Sequence, residues 1–441
     1  MQDWQRLARR VTATEPIVAA GLVEKIVGLM IEALGPRVSV GEYCVIANDA
    51  GQAIPAEVIG FRGKTTLLMP LAELTGIAPG DRVLPQLRKL AVGTGPALLG
   101  RILDGLGRPL DGRPLPTAAS YPLHNPPPNA YFRPRIQEPL SVGVRAVDGL
   151  LTLGRGQRIG IFAGSGVGKS TLLGMMARST AADVNVIALV GERGRELRDF
   201  VDKDLGPEGL ARSVVVVATS DQPALVRLKA AFTATAIAEY FRDQGRDVLL
   251  MMDSVTRFAM AQREVGLTAG EPPATRGYPP SVFALLPKLL ERAGLAEQGS
   301  ITGLYTVLVD GDDHNEPIAD AVRGILDGHI VLSRDLAMQN HYPAIDILQS
   351  VSRVMTDVAT PEHRRLAARL REHLAVYQEA KDLIDIGAYV QGSNPRIDAA
   401  IAHYEAIRGF LRQGVEEKST FASTVAALAQ VVPEARDDAA K

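Results

Sequence analysis

The sequence predicts a multidomain α/β protein with a small N-terminal β-barrel, a central parallel-sheet domain around a phosphate-binding loop, and a C-terminal helical domain. Three observations carry this. First, the apolar run Ile159–Phe162 feeds a glycine-rich turn, and Lys169-Ser170 then opens a new apolar-periodic segment: strand, loop, helix. Second, the runs Val184–Val190, Ser213–Val217, Val248–Met252 and Ile301–Val309 alternate with helical segments, the mark of parallel strands buried on both faces. Third, short β-like runs between turn residues fill positions 21–85, whereas the chain reads as helical from Pro361 onward.

Taken in order, residues 1–20 form an N-terminal segment in which Trp4, Leu7, Ala8 and Val11 share one helical face, with Arg6, Arg9 and Arg10 around the remainder. Such a helix can dock on a partner, rest on a membrane surface, or pack on its own domain. Residues 21–92 are assigned to the barrel on the runs Val38–Val40, Tyr43–Ile46, Ala56–Ile59 and Thr65–Met69, bounded by Gly35-Pro36, Asn48-Asp49, Gly63 and Pro79-Gly80. Residues 93–355 form the nucleotide-binding domain. Within it, 111–135 hold seven prolines, a composition that excludes helix and central strand and predicts a stiff extended connector. Residues 356–441 are the helical domain, with a frayed end at Asp437–Lys441.

Composition narrows the function. A formal net charge of −2 over 441 residues provides no global field for nucleic acid or anionic membrane. The single cysteine, Cys44, excludes an intramolecular disulfide and sits in an apolar stretch, which predicts a buried inert thiol in a cytoplasmic protein. No window approaches a membrane span, and the N-terminus has no apolar signal core.

The chemistry concentrates at predicted strand ends. In Gly164-Ser-Gly-Val-Gly-Lys-Ser-Thr171, glycines let the backbone N–H groups of Gly164, Ser165, Gly166, Val167 and Gly168 converge on one anion, with the helix N-terminus beneath. Lys169 is expected to reach the β- and γ-phosphates of a nucleoside triphosphate, with Ser170 a ligand of Mg²⁺ and Thr171 closing the motif. Asp253, ending Val248–Met252, is the second candidate for the Mg²⁺ shell. In Gly191-Glu-Arg-Gly-Arg-Glu196, Glu192 is the candidate to polarise water and Arg193 to stabilise charge; a solvated charged turn is the alternative. Arg353 fits either a salt-bridged structural arginine or a finger donated across a subunit boundary. The acidic stretch Asp310–Glu316 matches no calcium loop and reads as a polar loop capping a helix from Pro317. His314 and His341 are expected to be surface or hydrogen-bonding residues, not metal ligands.

Ala163–Thr171, Gly191–Glu196 and Leu250–Phe258, with Glu271–Pro280 and His341–Asp346, resemble the rotary ATPase superfamily. Within it the chain is similar to the type III protein-export ATPases. Gly303–Asp313 and Ile318–Ile330 are especially like the flagellar branch. The resemblance implies a RecA-like ATPase core using Mg²⁺ with ATP, Glu192 as the catalytic glutamate, Arg353 completing a neighbour's site, and Tyr342 packing on the adenine base. It also implies a coiled-coil stalk protein in a central hole faced by Glu271–Pro280; beyond the resemblance, a homohexamer is the economical reading, and the N-terminal helix at Trp4–Val11 is where a stator-like regulatory subunit is placed. Export-gate membrane components, chaperone–cargo complexes and peripheral inner-membrane association complete the implied partners. Because Glu192 and Arg353 lie on one chain, copies of this chain alone can build complete sites.

Three other readings make different demands. A virulence-type injectisome ATPase would share every catalytic residue. A hexameric RNA-dependent helicase-like motor needs a basic, aromatic-studded barrel, but residues 21–92 hold only Tyr43 and Phe61 as aromatics and no basic cluster. A non-catalytic nucleotide-binding subunit would be marked by an amide in place of Glu192.

Overall fold

The computed structural model describes residues 19–48, 50–309 and 316–433. The amphipathic segment around Trp4–Val11, the acidic stretch Asp310–Asn315 and the Asp437–Lys441 end lie outside them.

Strands β1 (Gly21–Val27), β2 (Met30–Leu34), β3 (Glu42–Ala47), β4 (Ala53–Arg62), β5 (Thr65–Pro70) and β6 (Arg82–Lys89) close into an antiparallel barrel in the order β1-β2-β5-β4-β3-β6. Alternate side chains point inward, so Val23, Ile31, Cys44, Ile46, Ala56, Val58, Leu68 and Val83 form its core. Burial, then the charge of Glu42, pushes the Cys44 thiol up to about 12, which makes it unreactive. Glu32 survives near the interior because Lys25 and Arg62 pair with it at 3.2 and 3.0 Å. Val38–Val40 is not a strand, contrary to expectation. Glu42 donates its N–H to Ser39 O and accepts from Ser39 N–H, so this backbone closes a turn instead of joining a ladder.

After β7 (Ala91–Thr94), strand β8 (Arg101–Asp104) enters the central sheet, and β9 (Ala119–Pro122) returns to pair with β7. The proline-rich connector is therefore extended, its one strand confined to a two-stranded ladder. It is pinned at several points. Asp111 receives Arg101 at 2.7 Å, and Tyr121 donates to Asp243 at 3.0 Å. Arg292, 1% exposed, donates to Leu123 O at 2.6 Å while its other nitrogens clasp the fully buried Glu239.

A short ladder, β10 (Pro139–Leu140) with β11 (Leu153–Gly154), precedes the core. Its strands are β12 (Arg158–Ala163), β13 (Val184–Val190), β14 (Ser213–Ala218), β15 (Asp247–Asp253), β16 (Gly294–Leu295), β17 (Ser300–Leu308), β18 (Gly328–Leu332) and β19 (Ile345–Ser352). They run in the order β19-β18-β12-β17-β15-β13-β14-β8, with β16 beside β17. The sheet is parallel from β18 to β8, as expected, but β19 and β16 pair antiparallel and make it mixed. Strand β13 shows why its sequence reads as continuously apolar. Val184, Val186, Ala188 and Val190 enter one core, where the helix Ala224–Asp243 packs; Ile187 and Leu189 enter the other.

That second core receives the helix Lys169–Ser179 and the C-terminal helices Pro361–Asp385, Pro395–Leu411 and Phe421–Val431 through Leu172, Met176, Leu370, Ile407, Phe410 and Leu428. The helical domain therefore sits on the same face as the phosphate-loop helix, which brings its last loops close to that loop.

Candidate active site

The site is built where parallel strands end and the chain must turn, the general location of ligands in such sheets. Beyond β12, Gly166 and Gly168 take φ of 78° and 90°, conformations that glycine adopts without a Cβ clash. Gly168 caps the helix Lys169–Ser179, leaving the free N–H groups of its first turn facing the loop. Val167 anchors the loop in the core, while Ser165 and Ser170 are exposed to solvent. The Thr171 hydroxyl bonds to Asp204.

Lys169 crosses to the ends of two other strands. Its Nζ lies 2.5 Å from Asp253 Oδ1, at the tip of β15, and 3.6 Å from Glu192 Oε1, just past β13. Thr306 on β17 donates to Asp253 Oδ1 at 2.8 Å and fixes that carboxylate. Burial works to lower the Lys169 pKa, but the Asp253 and Glu192 carboxylates outweigh it and hold the ammonium charged. For Glu192, burial raises the pKa; Lys169 opposes this and the Asp253 charge adds to it. Glu192 Oε1 is buried without a hydrogen-bond partner, and its carboxylate is more basic than an ordinary surface one.

The turn presenting Glu192 is tightly specified. Gly191 has φ of 71°, and a Cβ there would stand 2.9 Å from Arg257 Cβ. Ser220 N–H donates to Glu192 O at 3.0 Å, securing the backbone at the working residue. Arg257 itself escaped the sequence reading. It lies in the first turns of the helix Val255–Thr268, with its Nε buried and unpartnered against the Glu192 turn. In the sequence it is a lone arginine one helical turn past Asp253, with no pattern of its own to mark it.

The remaining predicted residues fall into two groups. Tyr342 is brought in: its ring carbons lie 3.4 and 3.5 Å from where a Cβ on Gly168 would sit, and the ring is 41% exposed. Gln413, from the helical domain, donates its N–H to Tyr342 O at 3.0 Å and holds this loop. Arg193 and Arg353 are not brought in. Arg193 is exposed and faces Glu196 at 3.5 Å. Arg353, at the end of β19, is exposed and donates to Leu326 O at 3.3 Å; it forms no ion pair with Glu192 or Asp253. His341 is buried, with burial and then Arg412 and Arg408 holding its pKa down at about 4.

The donor set suits a magnesium–nucleotide. An exposed hydroxyl (Ser170) and one strand-end carboxylate (Asp253) are hard oxygen donors, few enough that phosphate and water would supply the rest, as Mg²⁺ prefers. No all-protein cluster of three or more His, Cys, Asp or Glu occurs among the described residues.

Comparison with known proteins agrees with this architecture. Residues 143–352 match the nucleotide-binding domain of the ATP synthase alpha/beta family, 23–85 its beta-barrel domain, and 359–430 the T3SS EscN ATPase C-terminal domain. The chain is 57% identical to the flagellum-specific ATP synthase of Bacillus subtilis over 96% of this chain and 98% of that protein. It is 54% identical to the type 3 secretion system ATPase of Xanthomonas euvesicatoria over 94% of each. The assembled ATPase EscN of enteropathogenic E. coli superposes with a TM-score of 0.89 at 49% identity, over 93% of this chain and 99% of that one. EscN bound to its central stalk EscO gives a TM-score of 0.87 at 48% identity, with the same coverage. The chain therefore belongs to the ATP synthase alpha/beta family, among its flagellum-specific and type III secretion ATPases, and is an ATP-hydrolysing enzyme.

Proposed function

We propose that copies of this chain form a ring whose ATP hydrolysis energises type III export of flagellar proteins and releases them from their chaperones. The observation that carries the proposal is the division of the site's charged groups. Lys169, Glu192 and Asp253 meet within one chain, whereas Arg353 is displayed at the sheet edge away from them. A second copy supplying Arg353 completes the site, which makes the oligomer part of the chemistry.

In this reading the backbone of Gly164–Thr171 cradles the phosphates, and Lys169 leaves its two carboxylates to follow the β- and γ-phosphates. Ser170 and Asp253 hold Mg²⁺, which neutralises phosphate charge when bound. Glu192 accepts a proton from the attacking water, helped by its raised pKa. Arg193 swings from Glu196 toward the developing charge, and Tyr342 packs on the base. The loop at Glu271–Pro280, braced by Ser281 N–H on Glu271 at 3.3 Å, is assigned to face a stalk protein; the complex of EscN with its central stalk EscO supports such a partner. Residues 1–20 are assigned to a stator-like subunit. Export-gate and chaperone–cargo contacts, and peripheral association with the inner membrane from a cytoplasmic location, follow from the same reading. No described helix is long and apolar enough to cross a membrane.

Mixing tests the shared site. Arg353→Ala and Glu192→Gln proteins, each inactive, should regain phosphate release when combined, because a mixed ring contains some intact interfaces; no recovery would refute the reading. The injectisome reading is kept alive by the 54% identity to the Xanthomonas protein. Deleting the gene decides between them: loss of filaments supports the flagellar role, and loss of effector secretion with filaments intact supports the other.

A further inference from the structure

A cationic pocket of about 170 Å³ lies at the seam between barrel and nucleotide domain. Arg88 and Lys89 reach it from β6, Arg108 from the loop after β8, with Tyr43 and Leu106 among its walls. Arg88 and Lys89 are adjacent in the barrel, and Arg108 lies 19 residues past Lys89 in the nucleotide domain, so the trio does not show as one cluster along the sequence.

Asp104 and Glu57 are committed elsewhere, while Glu42 spends one oxygen on the backbone and keeps Oε1 buried and unpartnered. Glu42 faces Lys89 across the β3–β6 ladder but is turned onto Ser39 N–H at 3.0 Å. Asp104 Oδ1 accepts the backbone N–H groups of Leu106 and Arg108 at 2.9 and 2.8 Å. Glu57 is held by the buried Lys229 at 2.7 Å. Arg88 lies over the Tyr43 ring, 5.5 Å from its centroid, and neither it, Lys89 nor Arg108 has an ion pair among the described residues. Burial first, then the charges of Lys229, Arg292, Lys89 and Lys288, keep the His124 imidazole well below its usual range.

The backbone is also shaped here. Glu42 pairs with Lys89 but Cys44 with Pro85, so β6 carries extra residues, and Leu87 takes φ of 50° with its side chain in solvent. Bulges of this kind re-aim side chains, and a non-glycine residue at positive φ is held only where surrounding structure enforces it.

We propose that this seam binds a small oxyanion of the phosphate class, separately from the phosphate loop, with Arg88 and Lys89 of the barrel and Arg108 of the nucleotide domain sharing the anion. Three cations without an ion pair favour a multiply charged anion over a single carboxylate. The volume is below the roughly 300 Å³ at which pockets for nucleotide-sized ligands begin, so the ligand is smaller than ATP. An anion there ties the barrel to the nucleotide domain and stabilises the folded chain by linkage.

The test uses full-length protein carrying Lys169→Ala, which disables the phosphate loop. Melting is followed against inorganic phosphate or pyrophosphate, with chloride at matched ionic strength. A saturable rise in Tm beyond that of chloride, with affinity lowered about tenfold or more by Arg88→Gln/Arg108→Gln, is expected. Tighter binding of pyrophosphate would identify a ligand with two phosphoryl groups; equal or tighter binding of phosphate would identify the single anion. A rise no larger than with chloride, or unchanged in the double replacement, overturns the site. If the doubly replaced protein does not melt cooperatively, Arg108→Gln alone, on an exposed loop, gives the same comparison.

Discussion

The ring of Tyr342 rests on the backbone of Gly168, with Cε1 3.4 Å from the point a Cβ would occupy. A residue that precedes the sheet's antiparallel edge strand thereby forms one wall beside a loop about 170 positions earlier in the chain.

That contact predicts a graded effect on nucleotide affinity. Tyr342→Ala should weaken ATP binding about tenfold, because base–aromatic stacking contributes roughly 1–3 kcal/mol, while Tyr342→Phe should be nearly neutral. Titration with a fluorescent nucleotide reads both; equal losses would mean that the hydroxyl, not the ring face, matters.

Lys169 balances two carboxylates, so its removal should cost stability as well as activity. Lys169→Met leaves Asp253 and Glu192 confronting each other, and breaking a buried ion pair costs about 3–5 kcal/mol. Adding Glu192→Gln should restore part of that loss in nucleotide-free protein. Glu192→Gln alone should reduce turnover about 10²–10⁴-fold while retaining ATP binding. Denaturant melts and phosphate release measure the two effects separately.

Arg292→Met should destabilise by about 3–5 kcal/mol, since Glu239 would be left fully buried without its partner. The double replacement Arg292→Met/Glu239→Gln should recover much of this. Chemical denaturation of the single and double variants checks the cycle.

Acid should destabilise the protein through His341. Its folded-state pKa of about 4 lies below the ordinary 6.5, so the folded form disfavours the proton that the unfolded chain takes up. The contribution is intact above pH 6.5 and is lost as pH falls toward 4, reaching about 2 kcal/mol at pH 5. Denaturation of His341→Gln across this range should show a shallower acid slope than the parent protein.

Much of the site was legible because phosphate chemistry is local. Gly164–Thr171 needs its residues adjacent in sequence, since one turn must deliver several N–H groups to one anion. Glu192 and Asp253 were legible for a related reason: both follow apolar runs that end where a parallel sheet places its ligands. Arg257 was missed because a single arginine in a helix has no distinguishing local pattern. Val38–Val40 was misread because Glu42 captures Ser39 through a short side-chain bond that alternation does not reveal.

By itself, then, the sequence determined the order of the elements, the barrel, the buried parallel strands and the phosphate loop. Periodicity and turn chemistry act over a few residues, and these features need nothing longer. Tertiary structure alone decided that β19 turns antiparallel, that Lys169 divides its charge between Asp253 and Glu192, and that Tyr342 meets Gly168. It alone decided, too, that Arg88, Lys89 and Arg108 share one pocket. The reason is that charge and contact act through space: their partners are fixed by strand order and domain packing, which no short window of sequence encodes.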